Sequence, residues 1–295
     1  MKEKTMKRIA ILGCENSHAN NFLKAIKENE DYSKEYVVVG VYSDEEEPPK
    51  KLQAEYGCPI LSSYDEAVGK VDGVIITARH GANHYKYAKP YIESGIPMFI
   101  DKPITCDCDE AVKFMRELRA AGVKISGGSS LSQADEIIAL REEVATEKDG
   151  ATVGGVMRAP LQTDSVYGGF WFYAQHLVEM VCSVYGRYPK SVKAFSVGDE
   201  KTVVFRYEKY DITGIFVEHG YKYYGVRFTS KTVSGGDIAS SPNWFKREFA
   251  DFDGIMNGGE QPLSYEDFIS PVFVIKAIEE SLASGEEVAV KKFEI

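Results

Sequence analysis

Short apolar runs separated by amphipathic stretches dominate the first 128 residues. Residues 8–13 (RIAILG), 36–42 (YVVVGVY), 71–77 (VDGVIIT) and 97–101 (PMFID) are too short for helices and show no polar alternation. They predict strands buried on both faces, and residues 123–127 close the series. Between them, residues 17–28, 49–56, 83–94 and 107–121 carry helical spacing, with Phe22, Leu23 and Ile26 on one side of the first. Strand and helix in alternation predict a parallel sheet covered by helices on both faces.

The pattern changes after residue 128. Beyond a linking helix over 133–145, residues 152–159, 191–197, 202–207, 212–218 and 223–229 alternate apolar and polar positions at period two, interrupted by one strong helix over 172–185. Helices over 244–256 and 265–283 and a strand near Val288 finish the chain. The expected class is α/β: an N-terminal Rossmann-like, doubly wound parallel sheet over 1–128, then a C-terminal α/β domain over 129–295 with an open, mostly antiparallel sheet.

Composition narrows the function. The chain has 295 residues, 44% hydrophobic and 27% charged, enough for two cores. A formal net charge of −10 argues against nucleic acid or an anionic membrane as partner. The basic N-terminus is followed by an apolar run of only residues 9–12, too short for a signal peptide or a membrane span. Five cysteines, an odd count, predict reduced thiols and a cytoplasmic location. Cys106-Asp107-Cys108 lacks the second cluster that a metal site needs, so no metal is expected.

Candidate chemistry gathers at predicted strand ends. A dinucleotide-binding turn reads G-x-G-x-x-G; here it reads Gly13-Cys14-Glu15-Asn16-Ser17-His18. Glu15 falls at the middle glycine, where a carboxylate pointing at a pyrophosphate would repel it and one turned outward would not, while His18 at the third glycine is expected to loosen helix packing. Asn16 or Ser17 caps the helix. After the second strand, Ser43 and Asp44 offer ribose contacts, and the acids 44–47 otherwise read as a solvated turn. After the third strand, Thr77, Arg79, Asn83 and His84 crowd one loop, with Arg79 suited to a 2′-phosphate and Asn83 to a helix cap. Asp101-Lys102-Pro103 sets a cation in extended backbone at a strand's C-terminal end. In the second half, Tyr173, His176 and Met180 share one helix face, where Tyr173 and His176 are able to exchange protons with a hydroxyl.

Together these residues resemble the Gfo/Idh/MocA oxidoreductases. Asp101-Lys102-Pro103 is similar to that family's E-K-P signature, Asn83 and His84 loosely match its N-x-x-H loop, and Gly168-Gly169 leading to His176 resembles its G-G…D-x-G-x-H stretch. The resemblance implies NAD or NADP as cofactor and a sugar, polyol or related hydroxyl compound as substrate. It also implies Lys102 as the group touching hydroxyl and nicotinamide, and His176 as acid/base. The chain departs from the pattern at Phe172, where an aspartate is expected, at Ala174, where a glycine is, and in residues 127–132, which lack an arginine. Tyr173 as donor or Glu179 as support for His176 would have to compensate. The alternatives are a ligand-binding or sensor protein without turnover and NAD-dependent glycoside cleavage without net redox. An open sheet presenting Tyr223, Tyr224, Val226 and Phe228 predicts a homodimer or homotetramer.

Overall fold

The computed structural model describes residues 6–295, and the remaining basic residues at the N-terminus lie outside the described residues. In chain order the elements are β1 (Lys7–Leu12), α1 (Ser17–Glu28), α2 (Glu30–Glu35), β2 (Tyr36–Tyr42), α3 (Glu47–Tyr56), β3 (Gly73–Ile76), α4 (Ala82–Ala88), β4 (Met98–Asp101), α5 (Cys108–Ala120) and β5 (Ile125–Gly128). There follow α6 (Asp135–Ala145), β6 (Thr152–Leu161), α7 (Phe170–Tyr185), β7 (Ser191–Val197), β8 (Glu200–Arg206), β9 (Asp211–Glu218), β10 (Tyr223–Thr229) and β11 (Val233–Ile238). The chain closes with α8 (Asn243–Met256), α9 (Tyr265–Ser284) and β12 (Val288–Ala289). Among the described residues no helix is long and apolar enough to cross a membrane.

The chain forms two compact units. One holds the described residues up to Thr105 with Lys113–Gly128 and Pro242–Tyr265; the other holds Cys106–Val112, Ser129–Ser241 and Glu266–Ile295. The seam between residues 128 and 129 is therefore accompanied by two exchanged segments. The segment carrying α8 joins the first unit because its apolar face, Phe249, Phe252 and Ile255, is buried in that unit's core with Ile9, Phe22 and Phe99. Phe249 packs edge-on to Tyr32 and Tyr36, at 4.7 and 5.3 Å between ring centroids. Each such side chain contributes roughly 1.5–3 kcal/mol on burial, which outweighs the separation in sequence. The Tyr36 hydroxyl also donates to Asp253 at 2.5 Å.

The first unit's sheet runs β2-β1-β3-β4-β5, all parallel, as the uninterrupted apolar runs require. The strand order reverses at β1, so the C-terminal ends of β1 and β3 open onto the crevice where ligands of such sheets bind. The predicted helix over 83–94 is α4 followed by a 3-10 turn over Lys89–Ser94, because Pro90 cannot continue the α-helical ladder.

In the second unit a seven-stranded sheet runs β11-β10-β6-β9-β8-β7-β12. It is antiparallel except for the β6–β9 pair. The Tyr185 hydroxyl of α7 donates to Val226 O at 2.7 Å, and a Cβ at Gly155 would fall 2.1 Å from that hydroxyl oxygen. Gly155 is thus what lets the helix end lie against the sheet. The strand absent from the sequence reading, β11, carries Gly235 and Gly236 at positive φ, which hides its period-two pattern.

Candidate functional site

In the first unit, the β1–α1 turn, the end of β2, the β3–α4 loop and the end of β4 converge through hydrogen bonds. Gly13 has φ +82, and a Cβ there would lie 2.3 Å from Ala78 N, so no other residue fits this turn. Thr77 donates from Oγ1 to Gly13 O at 3.0 Å, holding the turn to the end of β3. Asn16 caps α1, accepting the His18 N–H at 3.3 Å, and the exposed Ser17 opens the helix. First-turn amides of a helix have no acceptor within it, so this end retains donors for an anion. Gly13 and these donors fit a dinucleotide pyrophosphate.

Glu15 does not turn outward. Its carboxylate accepts the Ser43 hydroxyl at 2.8 Å and the Arg79 backbone N–H at 2.9 Å, reaching across the ends of β2 and β3. Asp44 is directed elsewhere, accepting hydroxyls of Tyr42 at 2.5 Å and Tyr87 at 2.8 Å. Burial works against its ionisation, yet those hydrogen bonds and Lys86 nearby hold its carboxyl below the usual range. The acid run is thus only partly a solvated turn, because Asp44 anchors a cluster of tyrosines.

Asp101 and Lys102 are not an exposed strand end; they are 0% and 4% exposed. The Asp101 carboxylate accepts the Lys102 N–H at 2.7 Å and Asn16 Nδ2 at 3.0 Å, and its Oδ2 lies 2.7 Å from His18 Nδ1. His18 therefore does not loosen the helix: its ring also meets Phe245 edge-on at 4.8 Å. Burial lowers the Lys102 ammonium's pKa, with Asp101 opposing the effect and Arg79 adding to it. The Lys102–Pro103 peptide is cis.

The loop after β3 differs from expectation in one cap. Gly81, not Asn83, occupies the N-cap of α4, and Asn83 donates its backbone N–H to His80 O at 2.9 Å. His84 is fully buried, with Nε2 2.8 Å from Ala78 O and Nδ1 3.3 Å from Ile104 O. It ties the β3 end to the segment after Lys102. Burial lowers its pKa below the ordinary 6.5, so folding favours the neutral ring. The unfolded chain therefore binds the extra proton first as pH falls. Stability is expected to decline below pH of about 6.5 by up to roughly 1.4 kcal/mol per pH unit until the folded pKa is reached. Urea titrations of His84→Gln should lack this component; an unchanged pH slope would exclude it.

In the second unit, α7 presents Tyr173 and His176 with ring centroids 5.3 Å apart, and Tyr223 of β10 lies 6.1 Å from the His176 ring. Burial raises the Tyr223 phenol's pKa. His176 is 6% exposed, and its Nδ1 lies 2.7 Å from Ser129 Oγ. Glu179 does not support it: that carboxylate pairs with Arg187 at 2.8 Å. Ser129 was not singled out from sequence. Its signal was its place directly after the last parallel strand, in the stretch that lacks an arginine.

A sequence model of the oxidoreductase family with an NAD-binding Rossmann fold, GFO_IDH_MocA, matches residues 7–129. No curated protein sequence is significantly similar. Among solved structures, a myo-inositol dehydrogenase from Corynebacterium glutamicum superposes with TM-score 0.81 at 19% identity, covering 98% of this chain and 100% of that one. A scyllo-inositol dehydrogenase from Lactobacillus casei, with bound NAD(H) and scyllo-inositol, gives 0.82 at 15% identity over 97% and 99% of the two chains. GenD2 from gentamicin A biosynthesis, in complex with NAD, gives 0.83 at 14% identity over 99% and 98%. At these identities the structural likeness is one of fold. Residues 7–129 thus match the NAD-binding Rossmann fold of the Gfo/Idh/MocA oxidoreductase family, and over that stretch the chain is similar to it.

Proposed function

We propose that the protein is an NAD(P)-dependent dehydrogenase that oxidises a hydroxyl of a sugar, polyol or related compound. The observation that carries this reading is Lys102, a buried cation at the C-terminal end of a parallel strand in an NAD-binding Rossmann fold. A bound nicotinamide would supply the hydride acceptor. Gly13, Asn16, Ser17 and Thr77 would shape the pyrophosphate turn. Lys102 polarises the reacting hydroxyl oxygen, and its lowered pKa suits a group that shares a proton. His176, anchored at Nδ1 by Ser129, takes the hydroxyl proton at Nε2, with Tyr173 beside it. Inositol dehydrogenases among the similar folds make cyclic polyols the first substrates to assay.

One observation favours a second reading, a ligand-binding protein without turnover: a carboxylate, Glu15, stands at the position of a glycine. Calorimetric titration with NADH and NADPH separates the two. Micromolar binding of at least one, with NADH formation from NAD and myo-inositol or another polyol, is expected. Absence of binding at millimolar dinucleotide would remove the enzyme reading. The half-buried outward side chains of the second unit's sheet, Val156, Val204, Ile215 and Val217, support a homo-oligomer, which sedimentation as a monomer would refute.

A further inference from the structure

We infer that Glu15 is the carboxylate that takes the adenosine ribose hydroxyls, and that it makes the chain select NAD(H) over NADP(H). The inference rests on the dehydrogenase reading above and assigns its cofactor preference. In folds of this kind an acid at the end of the second strand grips the ribose. Here that position is Ser43, and the neighbouring acid, Asp44, is committed to Tyr42 and Tyr87. Glu15 reaches the same place from the β1–α1 turn. It is held there by two donors from two different strand ends, one on each carboxylate oxygen. Each oxygen of an ionised carboxylate accepts more than one hydrogen bond, and Glu15 is only partly buried, so it retains acceptor capacity toward a ligand.

The surroundings set the selectivity. Glu15 lines a cleft of about 470 Å³ together with Glu45, Glu47, Lys51 and Arg79. Lys50 lies 2.9 Å from Glu47 and 3.3 Å from Glu46, so it is drawn to the helix end. A 2′-phosphate beside Ser43 would bring nearly two negative charges against Glu15 and Glu45, with Lys51 and Arg79 as the cations of the cleft. Glu45 and Glu47, which the sequence alone presents as part of a turn, thereby join the cofactor discrimination.

Calorimetric titration of the protein with NADH and NADPH tests the assignment, with near-ultraviolet dichroism confirming that each variant is folded. Wild type is expected to bind NADH at least 100-fold more tightly than NADPH. Glu15→Gln should lose about tenfold in NADH affinity and gain at least tenfold for NADPH, because the charge is removed while Lys51 and Arg79 remain. Ser43→Ala, which releases one anchor of the carboxylate, should narrow the preference without abolishing binding. Glu15→Ala tightening both dinucleotides equally would show that Glu15 obstructs the turn, and unchanged affinities would show that it does not face the ligand; either result overturns the inference while leaving the dehydrogenase reading intact. Wild type that binds neither dinucleotide removes both.

Discussion

Lys102→Met is expected to lower kcat by roughly 10²-fold, the scale on which a positioned proton-sharing or charge-stabilising group acts. The same substitution should leave the fold intact and raise its stability, if desolvation of the ammonium exceeds its attraction to Asp101. Burial depresses the Lys102 pKa, meaning that the folded state disfavours the charged ammonium. The sign follows: below the folded pKa the cation is a net liability, and this liability recedes only as pH rises toward the unfolded value of 10.5. Methionine fills similar volume without a charge to desolvate. Steady-state assays with a polyol that the wild type oxidises, paired with urea denaturation at pH 7, read both effects. Wild-type turnover would refute the role of Lys102, and a loss of stability would show that its attraction to Asp101 outweighs its burial. His176→Ala, measured alongside, should lose more than tenfold in kcat, because the ring that Ser129 anchors at Nδ1 is removed.

Asp101→Ala is expected to destabilise the first unit by about 3–5 kcal/mol, the usual consequence of removing one member of a buried, hydrogen-bonded charge cluster. The carboxylate is 0% exposed and receives the Lys102 N–H, Asn16 Nδ2 and the close approach of His18 Nδ1. Its loss leaves the Lys102 N–H and Asn16 Nδ2 without their acceptor in a site that water does not reach. Asp101→Asn keeps one carbonyl oxygen and should cost less, about 1–3 kcal/mol. Urea denaturation of both variants checks the order. A change below 1 kcal/mol in Asp101→Ala would mean that the three contacts are dispensable. The shorter aspartate, where the family has glutamate, and His18, where it has glycine, meet each other in this cluster. Two departures that look independent along the chain are a single contact in space.

Several elements were legible from residues alone because their signals are local. RIAILG and YVVVGVY are apolar at every position, which only a strand buried on both faces accommodates, and β1 and β2 lie there. Gly13 and the helix start at Ser17 follow from turn and capping chemistry within six residues. Lys102 stood out because Pro103 forbids the helical continuation. The reading faltered where partners are distant in sequence. α8 carries an ordinary amphipathic pattern that does not say which core it enters, and only Tyr32, Tyr36 and Phe22 explain why it joins the first unit. Glu179 is one turn from His176 in α7, but its carboxylate pairs with Arg187 at 2.8 Å.

The turn Gly13–His18 shows where the division falls. By itself the sequence determined the parallel and antiparallel halves, the sharp turn after β1 and the cation at the end of β4, since periodicity, glycine φ and proline geometry act over a few residues. Only the tertiary structure decided that Glu15 crosses to Ser43 and Arg79, that Asp44 turns to the tyrosines and that His18 and Asp101 share one buried contact. A charged side chain's direction is set by which donors the folded sheet brings within 3 Å, and those donors come from strand ends 28 to 85 residues apart.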